Sequence, residues 1–166
     1  MTEVQNRFFS KLNALSSGER AALRREAGKP IYEADAKAVT TFYACLPHEV
    51  PDWAENRWYA VACLRCIWDA GKTSDTPFEQ VLGRLIKNKT LTGSIKHRID
   101  LLLDTEWDDD GYLEEKLARM VKLVRQKSER ATFDFSALLD DLLHWNADKQ
   151  YVQRKWAKAI YGTNDD

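Results

Sequence analysis

The chain contains little glycine and proline, with seven glycines and four prolines among 166 residues. Turn-rich all-β folds need many of these residues, so their scarcity favours long helices with short connections. No apolar run approaches the roughly 18 residues that cross a membrane. The first six residues, MTEVQN, also lack the pattern of a signal peptide. We therefore expect a cytoplasmic chain without a membrane partner.

Cysteine is scarce as well, since the chain has only Cys45, Cys63 and Cys66. An odd, small number without an export signal predicts reduced thiols. Cys63 and Cys66 have C-x-x-C spacing, but zinc would need two more ligands, and no further ligand pattern is present. A redox pair would follow a strand, whereas this pair lies in an apolar helical pattern. We interpret both as packing residues and expect no bound metal.

Sequence motifs of enzymes are also missing. The chain has no glycine-rich phosphate loop, and its serine, histidine and aspartate residues show no catalytic spacing. The run DDDG at 108–111 lacks the alternating ligands and the distal glutamate of a calcium loop. We interpret it as a solvated loop whose carboxylates favour the start of the next helix. No paired carboxylates form a metal motif, which disfavours a nuclease, and we expect neither enzymatic activity nor a cofactor.

Apolar residues at helical spacing are abundant. Nine such segments are bounded by caps, prolines or glycines: 4–15, 16–27, 39–46, 51–70, 76–86, 94–103, 113–124, 134–145 and 148–160. Ser16, Thr76, Ser94, Asp134 and Asp148 are predicted helix caps. The pattern shows neither strand alternation nor a repeat of about 20 to 50 residues, so it predicts an all-α fold of about nine helices. The polar stretch 88–93 predicts a boundary between helical bundles at 1–90 and 91–166.

The net charge is −1, but like charges come in blocks. Segment 104–115 holds seven acids and no base, whereas 116–130 holds six bases and one acid, so ion-pair partners within that basic stretch are few. On a helical wheel, apolar residues of the seventh helix occupy one half and its bases the other. Bases also outnumber acids in 72–98 and in the second and ninth helices. Two interpretations are open. The bases lie on solvated helix faces that pair with the acidic blocks in the folded chain, or they line a groove that binds a phosphate backbone.

Several short segments, spread over nearly the whole chain, are similar to segments of one known family and occur in the same order. They are LSSGER at 15–20, ALRR at 22–25, FY at 42–43, LP at 46–47, AGK at 70–72, LGRL at 82–85, RI at 98–99, LLL at 101–103, FDF at 133–135, LLDDL at 138–142, Trp145 and VQRKWA at 152–157. Together they resemble the CasB family, the small subunit of the type I-E CRISPR surveillance complex called Cascade.

This resemblance implies two small packed helical bundles without enzymatic activity, working in antiviral defence. It implies as partners the crRNA, both strands of the target DNA in an R-loop, other Cascade subunits and a second copy of the chain. The predicted nucleic-acid-binding residues are Arg20, Arg24, Arg25, Arg84, Lys87, Lys96, Arg98, Lys116, Arg119, Lys122 and Arg125.

We expect Arg24, Arg84 and Arg98 to share one exposed surface with the bases of the seventh helix, and we leave the lysine-rich ninth helix unassigned. The alternative is a structural subunit whose basic faces dock acidic protein surfaces, without direct contact to nucleic acid.

Overall fold

The structure, a computed structural model, describes residues 1–108 and 110–162, so Asp109 of the acidic segment and residues 163–166 lie outside it. Helices are the only regular elements in these ranges, and they confirm the predicted all-α fold. The α-helices are α1 (Glu3–Asn13), α2 (Ser17–Arg25), α3 (Ala36–Cys45), α4 (Glu55–Arg65), α5 (Phe78–Lys87), α6 (Ile95–Asp104), α7 (Tyr112–Lys127), α8 (Phe135–Leu143) and α9 (Tyr151–Tyr161). None of these helices is long and apolar enough to span a membrane.

Two of the five predicted helix caps are confirmed. The Ser16 hydroxyl accepts a hydrogen bond from the Glu19 N–H at 3.2 Å, and the Glu19 carboxylate accepts one from the Ser16 N–H at 2.9 Å. Asp134 accepts from the first N–H groups of α8. Ser94 occupies the predicted N-cap position of α6, but its side chain accepts no hydrogen bond from that helix. The predictions for Thr76 and Asp148 are wrong, because neither residue occupies the N-cap position of α5 or α9.

The fourth and ninth helices are shorter than predicted. α4 ends at Arg65 instead of continuing to residue 70, because the N–H groups of Ile67 and Trp68 donate to carbonyl oxygens three residues back, at Leu64 and Arg65, instead of four. The Trp68 carbonyl then accepts hydrogen bonds from the guanidinium groups of Arg20 and Arg65. α9 begins at Tyr151, since Lys149 and Gln150 have φ of 63° and 51° and interrupt the helix there. Both boundaries depend on local conformations that apolar spacing does not record.

The core is built around α4, which is buried along most of its length and packs against α2, α7 and α8. Aromatic side chains extend this core toward the C-terminus. Trp145 and Trp156 meet edge to face with ring centroids 5.3 Å apart, and Trp68 donates its indole N–H to the Ala131 carbonyl at 2.9 Å. Buried residues from 1–90 and from 91–162 belong to one apolar cluster. The division into two bundles at residue 90 stays a prediction.

Helix α5 packs closely on α9 at a glycine. A Cβ atom placed on Gly83 would lie 2.6 Å from the carbonyl oxygen of Ala159 and 3.3 Å from the Cα of Ile160. Real Cβ atoms essentially never approach other atoms that closely, so this helix pair needs glycine at position 83.

The three thiols are free and buried. Cys63 and Cys66 are each 1% exposed, and burial raises the pKa of both thiols. They are therefore neutral packing groups at the end of α4, as the sequence predicts. The part of the chain that the structure describes contains no group of three or more histidine, cysteine or acidic side chains that could hold a metal ion.

Candidate nucleic-acid interface

An open groove of about 570 Å³ lies between α6 and α7. Four bases line this α6–α7 groove: Arg98 of α6, and Lys116, Arg119 and Lys122 of α7. The three bases of α7 are three residues apart, so they follow one face of the helix. The fold thus brings together four of the residues that the sequence predicts to bind nucleic acid.

The charged ends of the three bases of α7 make weak contacts within the chain. Arg119 pairs with Glu115 at 2.5 Å, so the predicted shortage of partners does not hold for this arginine. The pair is exposed, and such pairs contribute only about 0–1 kcal/mol. The ammonium of Lys116 lies 4.7 Å from the centre of the Tyr112 ring, and that of Lys122 donates to the Ala27 carbonyl at 3.3 Å. An anion in the groove would therefore displace little structure.

A second open groove, of about 830 Å³, lies between α5 and α9. Arg84 and Lys87 of α5 line this α5–α9 groove together with Lys155 and Lys158 of α9. The sequence predicts the two bases of α5 as contacts but leaves those of α9 unassigned. The wheel of α9 separates Lys155 and Lys158 from the buried Trp156, yet it carries no information about which helix lies opposite.

Lys155 is tied to the interior by two carboxylates. Its ammonium lies 2.5 Å from Oδ1 of Asp141 and 3.8 Å from Oε1 of Glu79, and both acids are buried. Burial raises the pKa of Glu79, and repulsion from Asp141 acts in the same direction. Asp141 also accepts the indole N–H of Trp156 at 2.8 Å. The positive charge of Lys155 is therefore partly neutralised by buried carboxylates, whereas no such pair is described for Lys158.

The remaining predicted contacts line neither groove. Arg24 and Arg25 are exposed in the last turn of α2. This end of α2 lies beside α7, as the hydrogen bond from Lys122 to the nearby Ala27 carbonyl shows. Lys96 is exposed on the first turn of α6, with its ammonium 5.9 Å from the centre of the Tyr161 ring. Arg125 is half-buried one turn beyond Lys122.

Two of the bases that the sequence predicts on one surface line different grooves, and their membership of one surface stays a prediction. Arg98 faces the bases of α7, whereas Arg84 lies in the α5–α9 groove.

Arg20 needs correction as a contact residue. It is only 8% exposed, and its guanidinium donates to the Leu12 carbonyl at 3.1 Å and to the Trp68 carbonyl. It therefore joins α1, α2 and the segment after α4, and we remove it from the basic set. Helical spacing contains the signal, since Arg20 shares a face with the buried Leu23 and Ala27.

Glu114 is a buried acid at the start of α7 that the sequence analysis does not single out. Its side chain accepts a hydrogen bond from the Asn56 amide at 3.1 Å, while its second oxygen has no hydrogen-bond partner among the described residues. Burial, with repulsion from Asp110 and Asp108, raises the pKa of Glu114 to about 7. Its charge state therefore changes near neutral pH, on the buried side of the helix that carries three groove bases.

The family model described as CRISPR-associated protein Cse2 matches residues 19–161 of this chain. The chain belongs to the Cse2 family. A curated Cse2 protein from Thermus thermophilus is 29% identical over 126 residues, which is 70% of this chain and 68% of the relative. The family resemblance predicted from the sequence is thereby confirmed.

Solved structures of similar chains share this fold. A Cse2-family protein from T. thermophilus has a TM-score of 0.76 at 24% identity, covering 98% of this chain and all of its own. CasB from M. ruber has a TM-score of 0.72 at 24% identity, covering 97% of this chain and 94% of its own. A chain of a CRISPR RNA-guided surveillance complex has a TM-score of 0.71 at 22% identity, covering 95% of this chain and 88% of its own.

Proposed function

We propose that this chain is a non-catalytic subunit of a cytoplasmic, crRNA-guided type I-E Cascade complex. Its basic helix faces bind nucleic-acid backbones and stabilise the guide RNA, the target strand and the displaced strand of the R-loop. Its protein partners are other Cascade subunits and a second copy of itself. The observation that carries this proposal is the meeting of Arg98, Lys116, Arg119 and Lys122 in one groove of a Cse2-family chain. The occurrence of the same fold in a solved surveillance complex supports it.

Backbone binding suits the task because R-loop formation is a nearly balanced exchange of one duplex for another. A protein that binds the separated strands shifts this balance toward the open state. Lysine and arginine contacts to phosphate carry no base information, so a protein that uses them can bind the separated strands of any target sequence. Arg84, Lys87 and Lys158 supply the phosphate-facing charge of the α5–α9 groove, while Arg24, Arg25, Lys96 and Arg125 are outer contacts.

A salt titration of oligonucleotide binding tests this function. The variant Arg98→Glu with Lys122→Glu should bind single strands and duplexes more weakly, to a similar degree for every sequence, because phosphate contacts are lost. The slope of log affinity against log salt should decrease by roughly one unit per lost contact. Folding should be retained, since exposed charge changes usually alter stability by only about ±0.5 kcal/mol.

The matched control is Lys11→Glu with Lys37→Glu, which reverses two positive charges on helices that line neither groove. It should bind more tightly than the groove variant. Equal affinity and equal salt slope for the wild-type chain and the folded groove variant would contradict the proposal. Binding to other subunits that hardly responds to salt would then favour the purely structural alternative.

A further inference from the structure

The α6–α7 groove contains more than cations. Tyr112, the first residue of α7, lines it with 57% of its surface exposed, although Lys116 lies over its ring. Leu101, 44% exposed, adds an apolar side chain to the wall. Among the described residues that line the α5–α9 groove, by contrast, none is aromatic. The two basic grooves therefore differ in what they offer a ligand besides positive charge.

An aromatic ring among cations matches the chemistry of unpaired nucleotides. Every base has a π face that stacks on tyrosine whatever its sequence, and the flanking phosphates bind lysine and arginine. In a duplex the base faces are already stacked inside the helix and cannot reach such a ring. Among the described residues that line the groove, four bases stand against the single acid Glu115, which makes the groove complementary to a polyanion. The groove is thus suited to a single strand.

We propose that the α6–α7 groove binds single-stranded nucleic acid, with one base stacked on Tyr112 and its flanking phosphates on Arg98, Lys116 and Arg119. This inference rests on the proposed function and adds to it a preference for unpaired over paired strands. Lys116 belongs to both parts of the site, because its ammonium lies 4.7 Å from the ring centre and its side chain also lines the groove. The α5–α9 groove, whose described lining includes cations but no aromatic ring, should bind both forms alike.

Three oligonucleotides of equal length separate stacking from charge: a normal single strand, an abasic strand with the same phosphates, and a duplex. The full chain is titrated with each by fluorescence anisotropy at several salt concentrations. Tyr112→Ala should weaken single-strand binding about ten-fold, the loss of one base–aromatic stack. It should leave abasic and duplex affinities within about two-fold and the salt slope unchanged, since no phosphate contact is removed.

Two further variants serve as controls. Tyr112→Phe keeps the ring and should bind the single strand as the wild-type chain does. Tyr151→Ala removes another exposed tyrosine at the first position of a helix, but one that lines neither groove, and it should change nothing. Far-UV circular dichroism checks that each variant is folded.

The outcomes distinguish this inference from the function beneath it. If Tyr112→Ala leaves single-strand affinity unchanged, or weakens the abasic strand equally, stacking on Tyr112 is overturned. The backbone-binding function still stands in that case, provided that Arg98→Glu with Lys122→Glu reduces binding of all three ligands. If the wild-type chain binds none of them, the proposed function and this inference fail together.

Discussion

Replacing Gly83 by alanine should destabilise the fold, because α5 and α9 meet at this residue. The added Cβ would lie 2.6 Å from the Ala159 carbonyl oxygen and 3.3 Å from the Ile160 Cα. The shorter contact is roughly 1 Å below van der Waals separation. Both neighbours are backbone atoms of α9, so no side-chain rotation relieves the overlap. The two helices must move apart, and this alters the packing beneath the α5–α9 groove.

Two opposing contributions set the size of this effect. Alanine in a helix interior is more favourable than glycine by about 1 kcal/mol. Overpacking a well-filled contact typically costs about 1–3 kcal/mol. Because the neighbours of Gly83 are backbone atoms that cannot rotate away, we expect a cost toward the upper end of this range. The free energy of unfolding should therefore fall by about 2 kcal/mol. For a chain of this length the melting temperature should fall by roughly 4–8 °C.

Urea unfolding and thermal melting measure this change, and Gly18→Ala is the matched control. A Cβ on Gly18 of α2 would meet only the ammonium of Lys37, at the ordinary distance of 3.6 Å. This variant should gain up to about 1 kcal/mol from helix propensity alone. If Gly83→Ala is as stable as the wild-type chain or more stable, α5 and α9 do not pack as closely as the structure shows.

Three further predictions concern buried polar groups. Arg20→Ala should lower the free energy of unfolding by about 2 kcal/mol, because two buried carbonyl oxygens lose their guanidinium donor and keep only the longer contacts from Leu15 at 3.3 Å and Arg65 at 3.4 Å. The salt slope of oligonucleotide binding should stay at its wild-type value, and a reduced slope would restore Arg20 to the contact set. The folded state binds the Glu114 proton more tightly than the unfolded state, so stability should fall as pH rises from about 4.5 through about 7. Glu114→Gln should therefore gain stability relative to the wild-type chain between about pH 5 and pH 8 in urea titrations, and a pH-independent difference would count against this assignment. Joint replacement of Cys63 and Cys66 by alanine should cost about 1 kcal/mol and leave oligonucleotide binding unchanged, whereas stoichiometric zinc lost on substitution would identify a metal site instead.

The helices could be predicted from the sequence because their signals are local. Apolar spacing and the reciprocal hydrogen bonds of Ser16 and Glu19 are visible within a few residues of the chain. The end of α4 could not be predicted, because neither the tighter turn at 64–68 nor the bond from Arg20 to the Trp68 carbonyl, 48 residues away, is visible in the apolar spacing. Periodicity alone therefore extends this helix too far.

The candidate site divides in the same way. The wheel of α7 places its three groove bases on the polar half, since the apolar half of that helix has to face the core, but it places Arg125 there too, and Arg125 does not line the groove. Arg98 enters the same groove only because α6 packs against α7, and Lys158 meets Arg84 only because α9 packs against α5. These pairings are properties of the tertiary fold, and charge counting along the chain treats all such bases alike.

The acidic segment 104–115 decides how much positive charge the α6–α7 groove retains. Its carboxylates could have neutralised the neighbouring bases, but most of those with assigned contacts bind elsewhere. Asp108 accepts the N–H of Asp110, and Asp110 accepts that of Tyr112, both at 2.9 Å, so these acids shape the start of α7.

Glu114 of the same segment is buried, and Glu115 is its one described member that forms an ion pair with a groove base, Arg119. Because that pair is exposed and weak, a phosphate can replace the carboxylate at little cost. The sequence leaves open whether the basic faces are neutralised within the fold or free for a phosphate backbone. The described contacts of the acidic segment favour the second interpretation, because its carboxylates mainly organise the N-terminus of α7 and leave the groove bases available to an external anion.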